Sequence, residues 1–211
     1  MDTEAVEGLR ERKKRRTRRD LSEAALRLFL ARGYEATTLD DLVDAAEVSK
    51  RTFFRYYPSK EAVALAAESD LWDACIAALD ARELNGPVLA ALHDVLTATV
   101  SGMGDDWLRR FLATRGLLAR TPALRDRSDL ASLAAHHRIA DVLRGKPAVA
   151  GCDDRVLALL AELVPLAWRR AAKTWVRSGE PPAGPKTAGL IREIDAAFAA
   201  LPKAVGLRVG R

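Results

Sequence analysis

The stretch TLDDLVDAAEVSKRTFFRYYPSKE, residues 38–61, decides how the rest of this chain is read. Thr38, with Asp41 three residues on, has the spacing of a helix N-cap whose acid reaches back to the cap. Leu39, Leu42, Val43 and Ala46 then supply an inward face. Glu47 and Val48 make a turn, Ser49 is placed to cap the next helix, and Pro58 closes it. Ser59 can cap a fourth helix running to about residue 80. Two short helices joined this tightly make a helix-turn-helix candidate.

On a wheel of roughly 100° per residue, Phe53 and Tyr57 fall together and mark the buried side of the second of these helices. Arg51 and Arg55 lie nearly opposite, flanked by Thr52, with Lys50 and Phe54 nearer the edge. An aromatic anchor beneath an arginine ridge suits a helix lying in a major groove while its back packs on the preceding helix. An ordinary amphipathic surface helix shares the pattern, so the surroundings must decide. Upstream, residues 10–19 hold eight of the chain's 34 basic residues and one of its 29 acids, which leaves 26 against 28 elsewhere. The excess positive charge therefore belongs to an N-terminal arm that reaches Arg18 and Arg19, not to the chain at large. Such runs are commonly just solvated, but one placed immediately before a helix-turn-helix is suited to phosphate contact. Double-stranded DNA is the partner these residues imply.

Helical periodicity dominates the remainder and strand patterns are nearly absent, so the expected fold is all-α with about nine helices. Residues 1–16 read as a flexible basic arm, 17–62 as a three-helix helix-turn-helix domain, and 63–211 as a helical domain. The first helix is expected from Thr17 to Arg32, with Gly33 as its stop and Leu21, Ala25, Leu28 and Phe29 inward. Breaks at residues 85–87, 102–105, 121–122, 145–151 and 179–185 divide the later chain. Two late helices carry apolar stripes: 153–178, with Val156, Leu160, Leu163, Val164, Ala167, Ala171 and Trp175, and 187–201, with Leu190, Ile194, Ala197, Phe198 and Leu201. Two such stripes at a chain end are how a four-helix interface is built from two copies, which predicts a homodimer through the two C-terminal helices. No apolar run reaches membrane-span length and no signal-like N-terminus is seen, so a cytoplasmic protein without membrane association is expected. Cys75 and Cys152 have neither redox nor metal spacing and are expected as free thiols.

One set of residues carries a resemblance: Ala24-Ala25-Leu26-Arg27-Leu28-Phe29, Arg32-Gly33-Tyr34, Thr37-Thr38, Ala45-Ala46-Glu47-Val48-Ser49, Thr52-Phe53-Phe54 and Tyr57-Pro58-Ser59-Lys60-Glu61. In this order they resemble the DNA-binding domain of TetR-family transcriptional regulators, over about a fifth of the chain. The resemblance implies an all-helical homodimer with an N-terminal DNA-binding domain and a C-terminal domain that senses a small molecule. Repression of a palindromic operator is what it implies by default. It also implies that Thr38 meets a phosphate, that Lys50, Arg51 and Thr52 face base edges and nearby phosphates, and that Lys60 holds a phosphate. Phe54 stands where the family often has tyrosine and Tyr56 where it often has histidine. The first change removes a hydroxyl and favours thymine-methyl contact. With Arg18, Ser49 and Arg55, these ten residues form the expected DNA-binding set. The chain has no glutamine, and its only asparagine is Asn85, so adenine cannot be read here by a bidentate amide. Direct readout then falls to Arg51 or Lys50 on guanine, with Thr52 or Phe54 against thymine methyls.

Beyond residue 80 no motif is as sharp. Trp72, His93, Trp107, Phe111, Arg115, His136 and Trp168 are the candidates to line an effector pocket, though for any single one ordinary core packing or surface exposure is the better reading. The run FLATRGLLARTPALR, residues 111–125, resembles a TetR branch associated with acyl-CoA-like effectors. No enzyme is expected. His136 and His137 are adjacent and poorly disposed to share a metal, Gly102-Met103-Gly104 lacks a dinucleotide loop's third glycine, and no nucleophile elbow occurs. No cofactor or metal is expected either. The rival reading is a dimeric helical DNA-binding adaptor with no small-molecule effector.

Overall fold

A computed structural model describes residues 2–178 and 187–208, so the break expected at 179–185 lies outside the described residues. The side chains of residues 2–7 and 9–11, Arg10 of the basic run among them, also lie outside the description. Among the described residues the fold is helical throughout, with ten α-helices, one 3-10 turn at Pro147–Val149 and no strand. The one helix beyond the expected nine arises because the fourth is split at Leu65 into α4 (Lys60–Ala64) and α5 (Ala66–Ala81).

The chain forms two compact units, one of residues Met1–Glu68 with Arg109–Arg127, the other of Ser69–Leu108 with Ser128–Arg211. The first unit is built on α1 (Asp2–Arg32), α2 (Leu39–Ala45), α3 (Lys50–Tyr56) and α4. Its core joins Leu21, Ala25 and Phe29 of α1 to Leu42, Val43, Phe53, Tyr57, Val63 and Ala64. Leu117, Leu118 and Leu124, from α7 (Asp105–Arg120) and the start of α8 (Pro122–Arg144), complete it. Sequence periodicity alone assigned those three leucines to the downstream domain.

The expected flexible arm is helical: α1 begins at Asp2, not at Thr17. Thr17 does not cap. Its hydroxyl donates to the Lys13 carbonyl at 3.0 Å, the back-bond a threonine makes inside a helix. Arginine, lysine and glutamate are good helix formers, and Arg16 and Asp20 approach to 3.7 Å at i,i+4, so a charged run can simply extend the helix that follows it. Gly33 ends α1 as expected, with φ +91 and its amide on the Phe29 carbonyl.

The second unit contains α6 (Val88–Gly102), α9 (Asp154–Ser178), α10 (Ala188–Val205), most of α5 and most of α8. Leu190, Ile194 and Phe198 of α10 are buried, in accord with its stripe, and α10 packs on α9 and α6. On α9, Val164, Ala167 and Ala171 of the expected stripe are buried together with Leu157, Ala161, Pro165, Trp168 and Ala172, Leu160, Leu163 and Trp175 are half-buried, and Val156 faces outward. Both cysteines are free. Burial pushes the Cys75 thiol up to about 11 despite a hydrogen bond from Thr99, so it stays an inert thiol.

Candidate nucleic-acid interface

Local capping sets the three short helices. Thr38 accepts the Asp41 amide while Asp41 accepts the Thr38 amide at 2.8 Å, which closes a capping box at the start of α2. Ser49 accepts the Thr52 amide at 3.1 Å and donates to the Thr52 hydroxyl at 3.1 Å. Ser59 accepts the Ala62 amide at 3.2 Å. Between α2 and α3 the chain turns through Glu47, the one non-glycine residue with positive φ (52°) among the described residues. Its amide meets the Asp44 carbonyl and the Val48 amide meets the Val43 carbonyl, the paired bonds of a Schellman motif with glutamate where glycine is favoured. Glu47→Gly is therefore expected to raise stability by up to about 1 kcal/mol, since it relieves left-handed strain at some cost in unfolded-state entropy. A lower urea midpoint for this variant would contradict the assignment.

The reading face of α3 is as the wheel implied. Phe53 is fully buried and Tyr57 nearly so, while Lys50, Arg51, Phe54 and Arg55 are exposed and Thr52 and Tyr56 half-exposed. Phe54 is 52% exposed, which leaves its ring open to an apolar contact. The Tyr57 hydroxyl donates to the Arg18 carbonyl at 2.9 Å, pinning the end of α3 to α1. The Arg55 guanidinium lies 5.0 Å from the Tyr56 ring centroid.

Other members of the expected set are committed within the chain. The Thr38 hydroxyl donates to Asp41 at 2.7 Å, which leaves it no proton for a phosphate unless that bond opens. Hydrogen bonds from Thr38, helped by nearby Arg32, hold the Asp41 carboxyl below its ordinary range and keep it the acceptor at neutral pH. Lys50 meets Asp40 of α2 at 2.6 Å, an exposed pair weak enough for the lysine to swing away. The Lys60 ammonium donates to the Tyr34 and Thr37 carbonyls at 3.0 and 3.1 Å and lies 4.2 Å from the Tyr34 ring centroid. It thus closes the α1–α2 loop, an arrangement that differs from an open phosphate contact. Arg18 is half-buried with its guanidinium over the Tyr57 ring, 5.6 Å from the centroid. Arg51 and Arg55 carry the outward charge.

Sequence reading missed Asp40 and Tyr34. Asp40 tempers the charge of Lys50, and Tyr34 donates to Glu61 at 2.8 Å and, with Lys60, organises the loop. The paired residues lie ten and 27 positions apart in the chain, so no local spacing signals them. Burial and the Glu61 carboxylate push the Tyr34 phenol up, which keeps it a neutral donor.

The seven effector candidates are divided between the units. Phe111 and Arg115 belong to the first, where Phe111 is fully buried and Arg115 is paired with Glu68 at 3.2 Å. Trp72, His93, Trp107, His136 and Trp168 belong to the second. There Trp72 and Trp168 meet edge to face at 6.3 Å, both buried. His93 bridges α6 to α10, its Nε2 2.7 Å from Asp195 and its ring 5.1 Å from that of Phe198. His136 and His137 have ring centroids 4.2 Å apart. Among the described residues no cluster of three metal-ligating side chains occurs, and no helix is long and apolar enough to cross a membrane.

Known proteins match this arrangement. The family described as bacterial regulatory proteins of the tetR family matches residues 21–67. The HTH-type transcriptional regulator TcmR of Streptomyces glaucescens is 43% identical over 122 residues, which are 56% of this chain and 54% of TcmR. A putative mycofactocin biosynthesis transcriptional regulator, MftR of Mycobacterium tuberculosis, is 40% identical over 52 residues, 25% of this chain and 26% of MftR. The chain thus spans about half the length of the first of these relatives and a quarter of the second. A crystal structure of a putative TetR-family regulator from Mesorhizobium loti covers 90% of this chain and 97% of its own, with a TM-score of 0.50 and 19% identity, a likeness of fold alone.

Proposed function

We propose, from the premise that this chain belongs to the TetR family of bacterial regulatory proteins, that it works as a repressor whose α2–α3 unit reads double-stranded DNA. The observation that carries this reading is α3 itself, with Phe53 and Tyr57 locked beneath a face that presents Arg51, Phe54 and Arg55. Two such helices must meet successive major grooves about 34–36 Å apart, which a two-fold symmetric dimer on a palindromic operator provides. A leftover apolar face on α9 supports dimerisation through the C-terminal helices. Val156, Leu159 and Leu166 are 51%, 61% and 47% exposed at helical spacing, a row that a second copy would cover. In vitro site selection with the purified protein tests the reading: an enriched palindrome supports it, and retention of all duplexes alike rejects it.

The continuous basic α1 supplies a second, sequence-blind contribution. Lys13, Lys14, Arg15 and Arg16 are exposed on a helix that runs directly into the reading unit. Replacing all four with alanine is expected to weaken binding to every sequence alike and to lower the salt slope by about one for each phosphate no longer neutralised. A variant that changes base preference while keeping the salt slope would contradict this role.

The effector is proposed as a small hydrophobic molecule of acyl-CoA-like chemistry that releases the protein from its operator by population shift from a DNA-competent to an incompetent form. The resemblance of residues 111–125 and the aromatic interior of the second unit support it. The adaptor reading keeps one specific observation in its favour, since Trp72, Trp107 and Trp168 are already packed. Thermal shift with acyl thioesters separates the two: a specific rise in Tm and loss of operator binding favours the sensor, and no response across chain lengths favours the adaptor.

A further inference from the structure

The sequence from Ser59 to residue 80 asks for one unbroken helix, with neither proline nor glycine and with seven alanines between residues 62 and 78. The chain nevertheless breaks at Leu65, where φ −97 and ψ 10 leave the helical region. There the Glu68 amide donates to the Leu65 carbonyl at 3.0 Å, three residues back, where an unbroken α-helix would send it four back to Ala64. The Ala64 carbonyl instead accepts the hydroxyl of Thr114, a fully buried residue of α7, at 3.0 Å. The next residue of α7, Arg115, brings Nη1 within 3.2 Å of Glu68 Oε1, on a side chain only 6% exposed. Two consecutive side chains of one helix therefore hold both sides of the break. All of these residues belong to the first unit.

We propose that Thr114 and Arg115 are positioning residues that keep the α4–α5 junction broken, and that this setting of α4 fixes the α1–α3 framework in its DNA-competent form. The DNA part of the proposal rests on the reading given above. Two donors compete for one acceptor: the Thr114 hydroxyl in the broken form, the Glu68 amide in a continuous helix. A continuous helix would exchange the Glu68 amide's bond to Leu65 for one to Ala64 and strip the buried Thr114 hydroxyl of its acceptor, so that hydroxyl biases the junction toward the broken form, and removing it leaves the exchange one for one. α4 packs on α1 and places Val63 and Ala64 in one core with Phe29 and Phe53, so a re-laid α4 disturbs the support of the reading helix.

The test uses the full chain with Thr114→Val, which keeps the shape and loses the donor, and Thr114→Ser, which restores the donor. Two quantities are read: the Leu65 13Cα resonance, and affinity for the selected operator beside that for a non-specific duplex. In Thr114→Val the resonance is expected to move toward the helical range, and operator affinity to fall about tenfold while non-specific affinity holds. Thr114→Ser is expected to match the parent protein in both. A resonance that stays put, a shift without a change in operator affinity, or a serine variant that behaves like valine each overturns the proposal. If the parent protein selects no operator, the regulator reading fails by itself, and the resonance still decides whether Thr114 holds the junction.

Discussion

Phe53→Ala is expected to destabilise the first unit by about 3–5 kcal/mol, a large share of the roughly 5–15 kcal/mol that holds a natural domain folded. The Phe53 ring is fully buried between Phe54 at 5.6 Å, edge to face, and Tyr57 at 6.1 Å, in a core shared with Phe29, Leu42 and Leu124. α3 has only seven residues, too few to persist in water without tertiary contacts, so it depends on Phe53, the one buried side chain within it, and on the Tyr57 pin at its end. The expected result is a low-denaturant transition by circular dichroism that removes part of the helical signal, with the second unit unfolding later. Operator binding should disappear under conditions where that second transition is unchanged. Phe53→Leu, which keeps most of the volume, should cost less than about 1.5 kcal/mol. An unchanged urea midpoint for the alanine variant would show that α3 is anchored by something other than this ring.

How much of this was legible in the sequence depends on how far apart the interacting residues lie. Thr38, Ser49 and Ser59 act on amides three residues away, and Gly33 and Pro58 act on their own backbone, so the ends of the short helices could be read directly. The burial of Phe53 and Tyr57 followed from a single wheel. The start of α1 did not, because a run of arginine and lysine is equally at home in a solvated coil and on a solvent-facing helix. The break at Leu65 was invisible for a stronger reason. Local propensity favours helix across it, and the group that takes the released carbonyl is fifty positions away in the chain. A separation of 47 positions likewise hid the partner of Arg115, read as a pocket residue but engaged with Glu68. Lys60 and Lys50 show the rule for the interface: their type and place were evident, while the carbonyls and the carboxylate that engage them were not.

Arg51→Ala is expected to remove about 1–3 kcal/mol of base discrimination from each half-site, and hence about 2–6 kcal/mol from a symmetric operator, a loss of roughly 30-fold to 10⁴-fold in affinity. The size follows from what else is available on the reading face. The chain lacks glutamine and holds its only asparagine at Asn85, outside the unit, so no amide can take over a base edge. Lys50 is drawn to Asp40, and Thr52 shares its hydroxyl with Ser49. Arg51 is exposed and has no ion pair among the described residues, which leaves its five donors for a guanine edge. Because the side chain is on the surface, stability should change by no more than about 0.5 kcal/mol, and that separates this variant from Phe53→Ala. Arg51→Lys should recover phosphate attraction without recovering discrimination, since a point charge cannot reproduce a planar fork. The decisive measurement is site selection with the alanine variant: preference should relax at one base pair in each half-site and persist at the others. An unchanged selected sequence would move the reading role to Lys50, whose pair with Asp40 would then have to open on DNA.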